Sequence, residues 1–139
     1  MRTMNVVHRS LLTVSGGRIG GTLGKMPVYR VTTTGRTSGR PRTVMLTSPV
    51  RTGDSWVFVA SKGGDDRHPE WYRNMVANPV FTVEPAEGGE PMTLVARTAS
   101  VDEKAELWPR IVAAYRGYAG YQRRTERDIP VVVAEPPTT

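Results

Sequence analysis

The segment Thr32-Thr33-Thr34-Gly35-Arg36-Thr37-Ser38-Gly39-Arg40-Pro41-Arg42 places three guanidinium groups, five hydroxyls and two glycines within eleven residues. A guanidinium is a planar fork of N–H donors that matches a phosphate or a carboxylate. Gly35 and Gly39 allow the backbone conformations that let a chain approach a ligand closely. The threonines ahead of the loop continue a β-branched run, so the segment reads as a strand ending in a basic turn. Such a turn is an anion cradle at a sheet edge. The same composition also suits a solvated loop, so the rest of the chain must decide.

A second segment has related chemistry. In Ala60-Ser61-Lys62-Gly63-Gly64-Asp65-Asp66-Arg67-His68-Pro69-Glu70-Trp71-Tyr72, an apolar strand runs into a lysine, two glycines and a helix start. A helix N-terminus preceded by a lysine favours anions. Trp71 falls in the first turn, where its indole either stacks on a planar ligand or is wedged into the core. A third segment, Tyr115-Arg116-Gly117-Tyr118-Ala119-Gly120-Tyr121, spaces three tyrosines so that they share one face of a helical path. They form either an aromatic wall over a planar ligand or an amphipathic face packed on the body of the protein. Gly117 and Gly120 make a poor helix interior and suggest a mobile flap.

The elements that must hold these segments follow from composition and pattern. With 139 residues and 38% hydrophobic content, a single domain over 1–139 is expected, with a lead-in over 1–24 and a frayed tail over 136–139. No apolar run approaches the roughly 18 residues of a membrane span, and no signal-peptide pattern is present, so a cytoplasmic location is expected. There is no cysteine, which excludes disulfides, thiolate nucleophiles and Cys-ligated metals. His8 and His68 are too far apart in sequence for a ligand-spaced metal motif, and no metal is expected. The net charge is +6, and it is unevenly placed. Residues 1–62 carry ten Lys or Arg against one acid, Asp54, while the remainder carries nine against twelve. The first half therefore attracts an anionic partner. Nucleic acid, acidic lipid and a polyanionic small molecule all satisfy that field, although a nucleic-acid surface also calls for a contiguous basic face.

Residues 2–14 read as a short helix. Strands are expected at Pro27–Thr34, Thr43–Arg51, Ser55–Ser61, Val80–Glu84, Met92–Ala99 and Ile129–Ala134. Ser55–Ser61 is apolar on both faces, as in a strand covered on both sides. A helix capped by Asp65 or Asp66, with Pro69 in its first turn, ends at Asn78-Pro79. A second opens with the capping box Ser100-x-x-Glu103 and is kinked or restarted at Pro109. The order β-β-β-α-β-β-α-β predicts an α+β, mainly β, small barrel of mostly antiparallel strands with helices outside. No G-x-G-x-x-G follows the first strand, so a dinucleotide-binding βαβ fold is not expected.

Taken together, TTTGRTSGRPR, ASKGG…HPEWY…N…ANP and LWP…AAY..Y..YQ…R.IPVVVAEP, in this order and spacing, resemble the deazaflavin-dependent nitroreductase family over roughly residues 20–136. The resemblance implies a split β-barrel oxidoreductase using F420, a deazaflavin with a phosphate and an oligoglutamate tail, and transferring a hydride to a quinone, enone or nitroaromatic. It implies a cofactor site made by Arg36, Thr37, Ser38, Gly39, Arg40, Pro41, Arg42, Ala60, Ser61, Lys62, Gly63, Gly64 and Trp71, with Lys25 as an extra contact to the acidic tail. The three tyrosines would border the substrate side, and the proton comes from solvent or from a hydroxyl, with Ser61, Tyr115, Tyr118 and Tyr121 as candidates. Thr37, Thr47 and Glu70 depart from the family pattern: Thr37 bears on tail binding, while Thr47 and Glu70 border the site. The rival readings are a non-catalytic F420 carrier and the same barrel holding FMN or haem. The implied partner is a small-molecule hydride acceptor rather than nucleic acid. Peripheral membrane contact has no support in the sequence, and both a monomer and a homodimer are compatible with it.

Overall fold

The computed structural model describes residues 22–23 and 26–137. The helix expected over 2–14 and the expected contact at Lys25 lie outside them. The strands are β1 (Thr22–Leu23), β2 (Met26–Thr34), β3 (Pro41–Thr47), β4 (Val50–Thr52), β5 (Ser55–Val59), β6 (Val80–Pro85), β7 (Met92–Thr98) and β8 (Val131–Glu135). A single 3₁₀ turn occupies Lys62–Gly64, and the helices are α1 (Glu70–Ala77), α2 (Val101–Ala114) and α3 (Gly117–Arg124). The strands form one sheet in the order β1-β2-β6-β7-β8-β5-β4, with β3 also paired to β2. Every pairing is antiparallel.

The expected strand over Thr43–Arg51 is two strands. Pro49 has no N–H to give to a ladder, and the chain changes partner there, from β2 to β5. The buried Ser48 side chain bridges the break. Its hydroxyl donates to the Val57 carbonyl at 2.7 Å and accepts from the Val57 N–H at 3.3 Å. β3 and β4 therefore join opposite ends of the sheet across two residues, which is what curls it into a half-barrel.

Two hydrophobic clusters result from strand alternation. Trp56 and Phe58 of β5 and Val132 and Ala134 of β8 point into the first, which Trp71 and Met75 of α1 complete. Val57, Val59 and Val131 point the other way and are covered by Ile111 of α2 and Tyr118 of α3. β5 is thus buried on both faces, as its sequence predicts. Among the described residues, no helix is long and apolar enough to cross a membrane.

The helices show two departures from expectation. Neither Asp65 nor Asp66 caps α1. Asp65 Oδ1 accepts from the Arg67 N–H and Asp66 Oδ1 accepts from the Thr125 hydroxyl, leaving Pro69 as the residue preceding the helix. In α2, Pro109 lies inside an uninterrupted helix. Pro109 and Ala105, one turn earlier, are both exposed, so water can take the carbonyl bond that Pro109 cannot make. The start of α2 is as expected: Ser100 and Glu103 form the reciprocal capping box, with the Glu103 N–H donating to Ser100 Oγ at 3.2 Å and the Ser100 N–H to Glu103 Oε1 at 2.9 Å. Replacing Ser100 with Ala should cost about 1 kcal/mol in urea unfolding, and Ser100→Asp should recover most of it.

Candidate active site

The basic loop Gly35–Arg40 closes on itself. The Gly35 N–H donates to the Arg40 carbonyl at 2.8 Å and the Gly39 N–H to the Gly35 carbonyl at 2.9 Å. Gly39 has φ +72°, the left-handed region that favours glycine. Gly35 is needed for space, because a Cβ there would lie 2.7 Å from Ser38 Oγ. Ser38 Oγ gathers the loop, accepting from the Arg40 N–H at 3.1 Å and from Arg42 Nη2 at 3.4 Å. Thr37, Ser38, Gly39, Arg40, Pro41 and Arg42 are all exposed at the strand end.

α1 pins this loop from behind through Asn74, a residue without an assigned role in the sequence reading. Its buried side-chain oxygen accepts from the Arg36 N–H at 3.1 Å and from Arg36 Nη1 at 2.9 Å, and its amide donates to Thr33 Oγ1 at 3.3 Å. Arg36 Nη2 donates to Glu70 Oε1 at 2.6 Å. The Arg36 hydrogen bond is the main reason the Glu70 carboxyl is held below its ordinary range, with the charges of Arg36, Arg73 and Lys62 helping against burial. Glu70 therefore lies between the two basic segments that the sequence singled out. Arg40, Arg42 and Lys62 make no ion pair among the described residues.

The second segment is fixed by Arg127, which the sequence reading did not assign. Its Nε donates to the Asp65 carbonyl at 2.7 Å, and its Nη2 to the carbonyls of Ser61 at 2.9 Å and Ala60 at 3.2 Å. Its Nη1 lies 2.9 Å from His68 Nδ1. An arginine has no acceptor, so His68 Nδ1 is unprotonated and Nε2 carries the ring proton. Burial first, and then the charges of Arg127 and Arg73, push the His68 pKa down. Between the pinned carbonyls lies Lys62 with φ +47°, the one non-glycine residue with positive φ among those described. For a lysine this conformation is unfavourable and persists only where neighbours impose it. The signal for Arg127 was available as an arginine four residues before the apolar strand β8, but only the fold shows the carbonyls it faces.

The third segment is a helix packed against the second. Gly64, at φ +84°, abuts α3 so closely that a Cβ would meet the Tyr121 carbonyl at 2.9 Å. The rings of Tyr115, Tyr118 and Tyr121 lie in mutual contact, with centroids 5.3 to 6.3 Å apart. The hydroxyls of Tyr118 and Thr47 are 3.0 Å apart in a buried hydrogen bond. Burial pushes the Tyr118 pKa up to about 12, against the bond from Thr47. Burial and Tyr115 push that of Tyr121 up as well. Both remain protonated donors at neutral pH. Trp71 is not brought to either loop surface. It is 5% exposed and meets Phe58 edge-on in the first core cluster.

The chain matches the family model described as F420H(2)-dependent quinone reductase over residues 4–136. The chain belongs to this family. It is therefore an F420-dependent oxidoreductase of the split-barrel type, and the carrier, FMN and haem readings give way. It is 40% identical to an F420H(2)-dependent quinone reductase of Mycobacterium tuberculosis over 132 residues, 91% of this chain and 86% of that protein. Among solved structures it resembles an F420-H2 dependent reductase at 40% identity and a TM-score of 0.68, covering 78% of this chain and 94% of that one. It also resembles a structure described as a domain-swapped dimer, at 35% identity and a TM-score of 0.70, covering 94% of this chain and 92% of that one.

Arg127→Leu leaves several carbonyls without their shared donor and should cost about 2 kcal/mol or more in chemical unfolding. Because its native pKa is lowered, His68 contributes stability above about pH 6.5 that is lost as pH falls below that value. NMR titration of His68 should show a midpoint below about 6.5 in the parent protein, moving up in the Arg127→Leu variant.

Proposed function

We propose that Arg36, Ser38, Arg40, Arg42 and Lys62, with the backbone of Gly39, Ser61, Gly63 and Gly64, hold the phosphate and acidic tail of F420. Tyr115, Tyr118 and Tyr121 border the side from which a quinone approaches. The observation that carries this reading is a set of cations, Arg40, Arg42 and Lys62, that make no salt bridge among the described residues. They stand on loops immobilised from behind by Asn74 and Arg127. A cradle of this kind suits a polyanion, because fixed donors lose little freedom when they engage it.

When bound, reduced F420 supplies the hydride, and a quinone that takes it together with one proton becomes the hydroquinone. The chain's own task is orientation and proton supply. The Tyr118 hydroxyl is protonated at neutral pH and is aligned by Thr47. The Tyr115 and Tyr121 hydroxyls lie 3.5 Å from each other and are partly exposed, so they are the more accessible donors to an acceptor. Ser61 is buried beside Lys62 and serves the cradle through its backbone. Trp71 supports the site from the core, by packing α1 against β5, and not through an open ring face.

Lys62→Ala and Arg42→Ala should each weaken F420 binding at least about tenfold in a fluorescence titration, through loss of one charge-assisted contact. Titration curves matching the parent for both variants would remove the cradle. Loss of reduced-F420 absorbance on adding a quinone should be slower in Tyr115→Phe and Tyr121→Phe, with F420 affinity unchanged.

A further inference from the structure

The Arg36 guanidinium does not wait open for a ligand. Its Nη1 and the Arg36 N–H are anchored on Asn74, and its Nη2 is taken by Glu70 at 2.6 Å. The charged groups facing the Glu70 carboxylate are Arg36 from the basic loop, Lys62 from the 3₁₀ turn and Arg73 from its own helix, 3.8 Å away. One carboxylate thus sits where cations from both basic segments converge. We propose that Glu70 is an internal counter-anion that competes with the cofactor's phosphate for Arg36 and so sets how tightly this site takes anionic ligands. The proposal rests on the F420 reading above.

The geometry makes the exchange feasible. The Glu70 side chain is 56% exposed, so it can turn outward toward Arg73, which is 54% exposed on the same helix face. Arg36 meanwhile stays anchored by Asn74, and only its Nη2 is released. An exposed ion pair is weak enough to be displaced by a ligand bearing several charges. With the ligand in place, a retained Glu70 charge would repel the phosphate, so removing that charge helps the bound state more than the free one.

Glu70→Gln and Glu70→Ala test this against two ligands. The first is F420, and the second is the ribityl deazaflavin that lacks the phosphate and glutamates. Both variants should bind F420 about three- to tenfold more tightly than the parent in fluorescence titration, with affinity for the phosphate-free compound unchanged. Unchanged or weaker F420 binding in both variants would overturn the proposal and make Glu70 an aligner of Arg36. An equal gain for both ligands would overturn it too, because the effect would then act on the ring. If the parent and both variants all fail to bind F420, the functional reading itself fails, and this inference fails with it.

Discussion

The pairing of β5 with β8 is the constraint on which the rest depends. Its residues alternate between two hydrophobic clusters, so this one ladder is buried on both faces. A ladder so placed cannot slip by one residue without exchanging the contents of both clusters. The second basic segment leaves from the end of β5, and Arg127 enters just ahead of β8. Register between the two strands therefore also sets the register between Arg127 and the carbonyls of Ala60 and Ser61. The unfavourable Lys62 backbone is a local consequence of a global packing decision.

The two basic segments are far apart in sequence and are organised by different means. The first is held by an amide, Asn74, reaching from α1 to main chain and guanidinium together. The second is held by a guanidinium reaching from the approach to β8 to main-chain carbonyls. In both cases the anchoring group is at least partly buried; Arg40 and Arg42 are exposed, and Lys62 is half-buried. This division suits a site that must be rigid in its backbone and electrostatically open at its surface. Lys104 extends the same logic to the helices. Its ammonium donates to Gln122 of α3 and to Asp128 and the Ile129 carbonyl ahead of β8, and so fixes the tyrosine helix to the strand that Arg127 precedes.

The tyrosines show how one pattern carried two readings. Their spacing of three was compatible with an aromatic wall and with a packed face, and the fold packs the three rings against one another on the second cluster. Tyr118 is buried in the second cluster with its hydroxyl on Thr47, while Tyr115 and Tyr121 remain partly exposed. Trp71 presented the same pair of choices, and its ring lies in the core. The difference is the face of the helix each occupies: Trp71 is on the side of α1 that meets β5.

The sequence by itself determined most of the strands, the doubly buried β5, the capping box at Ser100 and the composition of the basic loop. These are local properties, written in period-two alternation, hydroxyl and glycine placement and charge. It also carried the family likeness, because that rests on short motifs in order. It did not determine the break at Ser48-Pro49, the helix continuing through Pro109, the pairing of Arg36 with Glu70, or the partners of Arg127. Each of these depends on what lies opposite in space. A strand breaks where it can change partner, a proline is tolerated where its turn faces water, and a charge is committed only when the fold brings its counter-charge within reach. Thus the donor set could be read from residue types, whereas which donors are free for a ligand and which are already engaged was decided by tertiary structure alone.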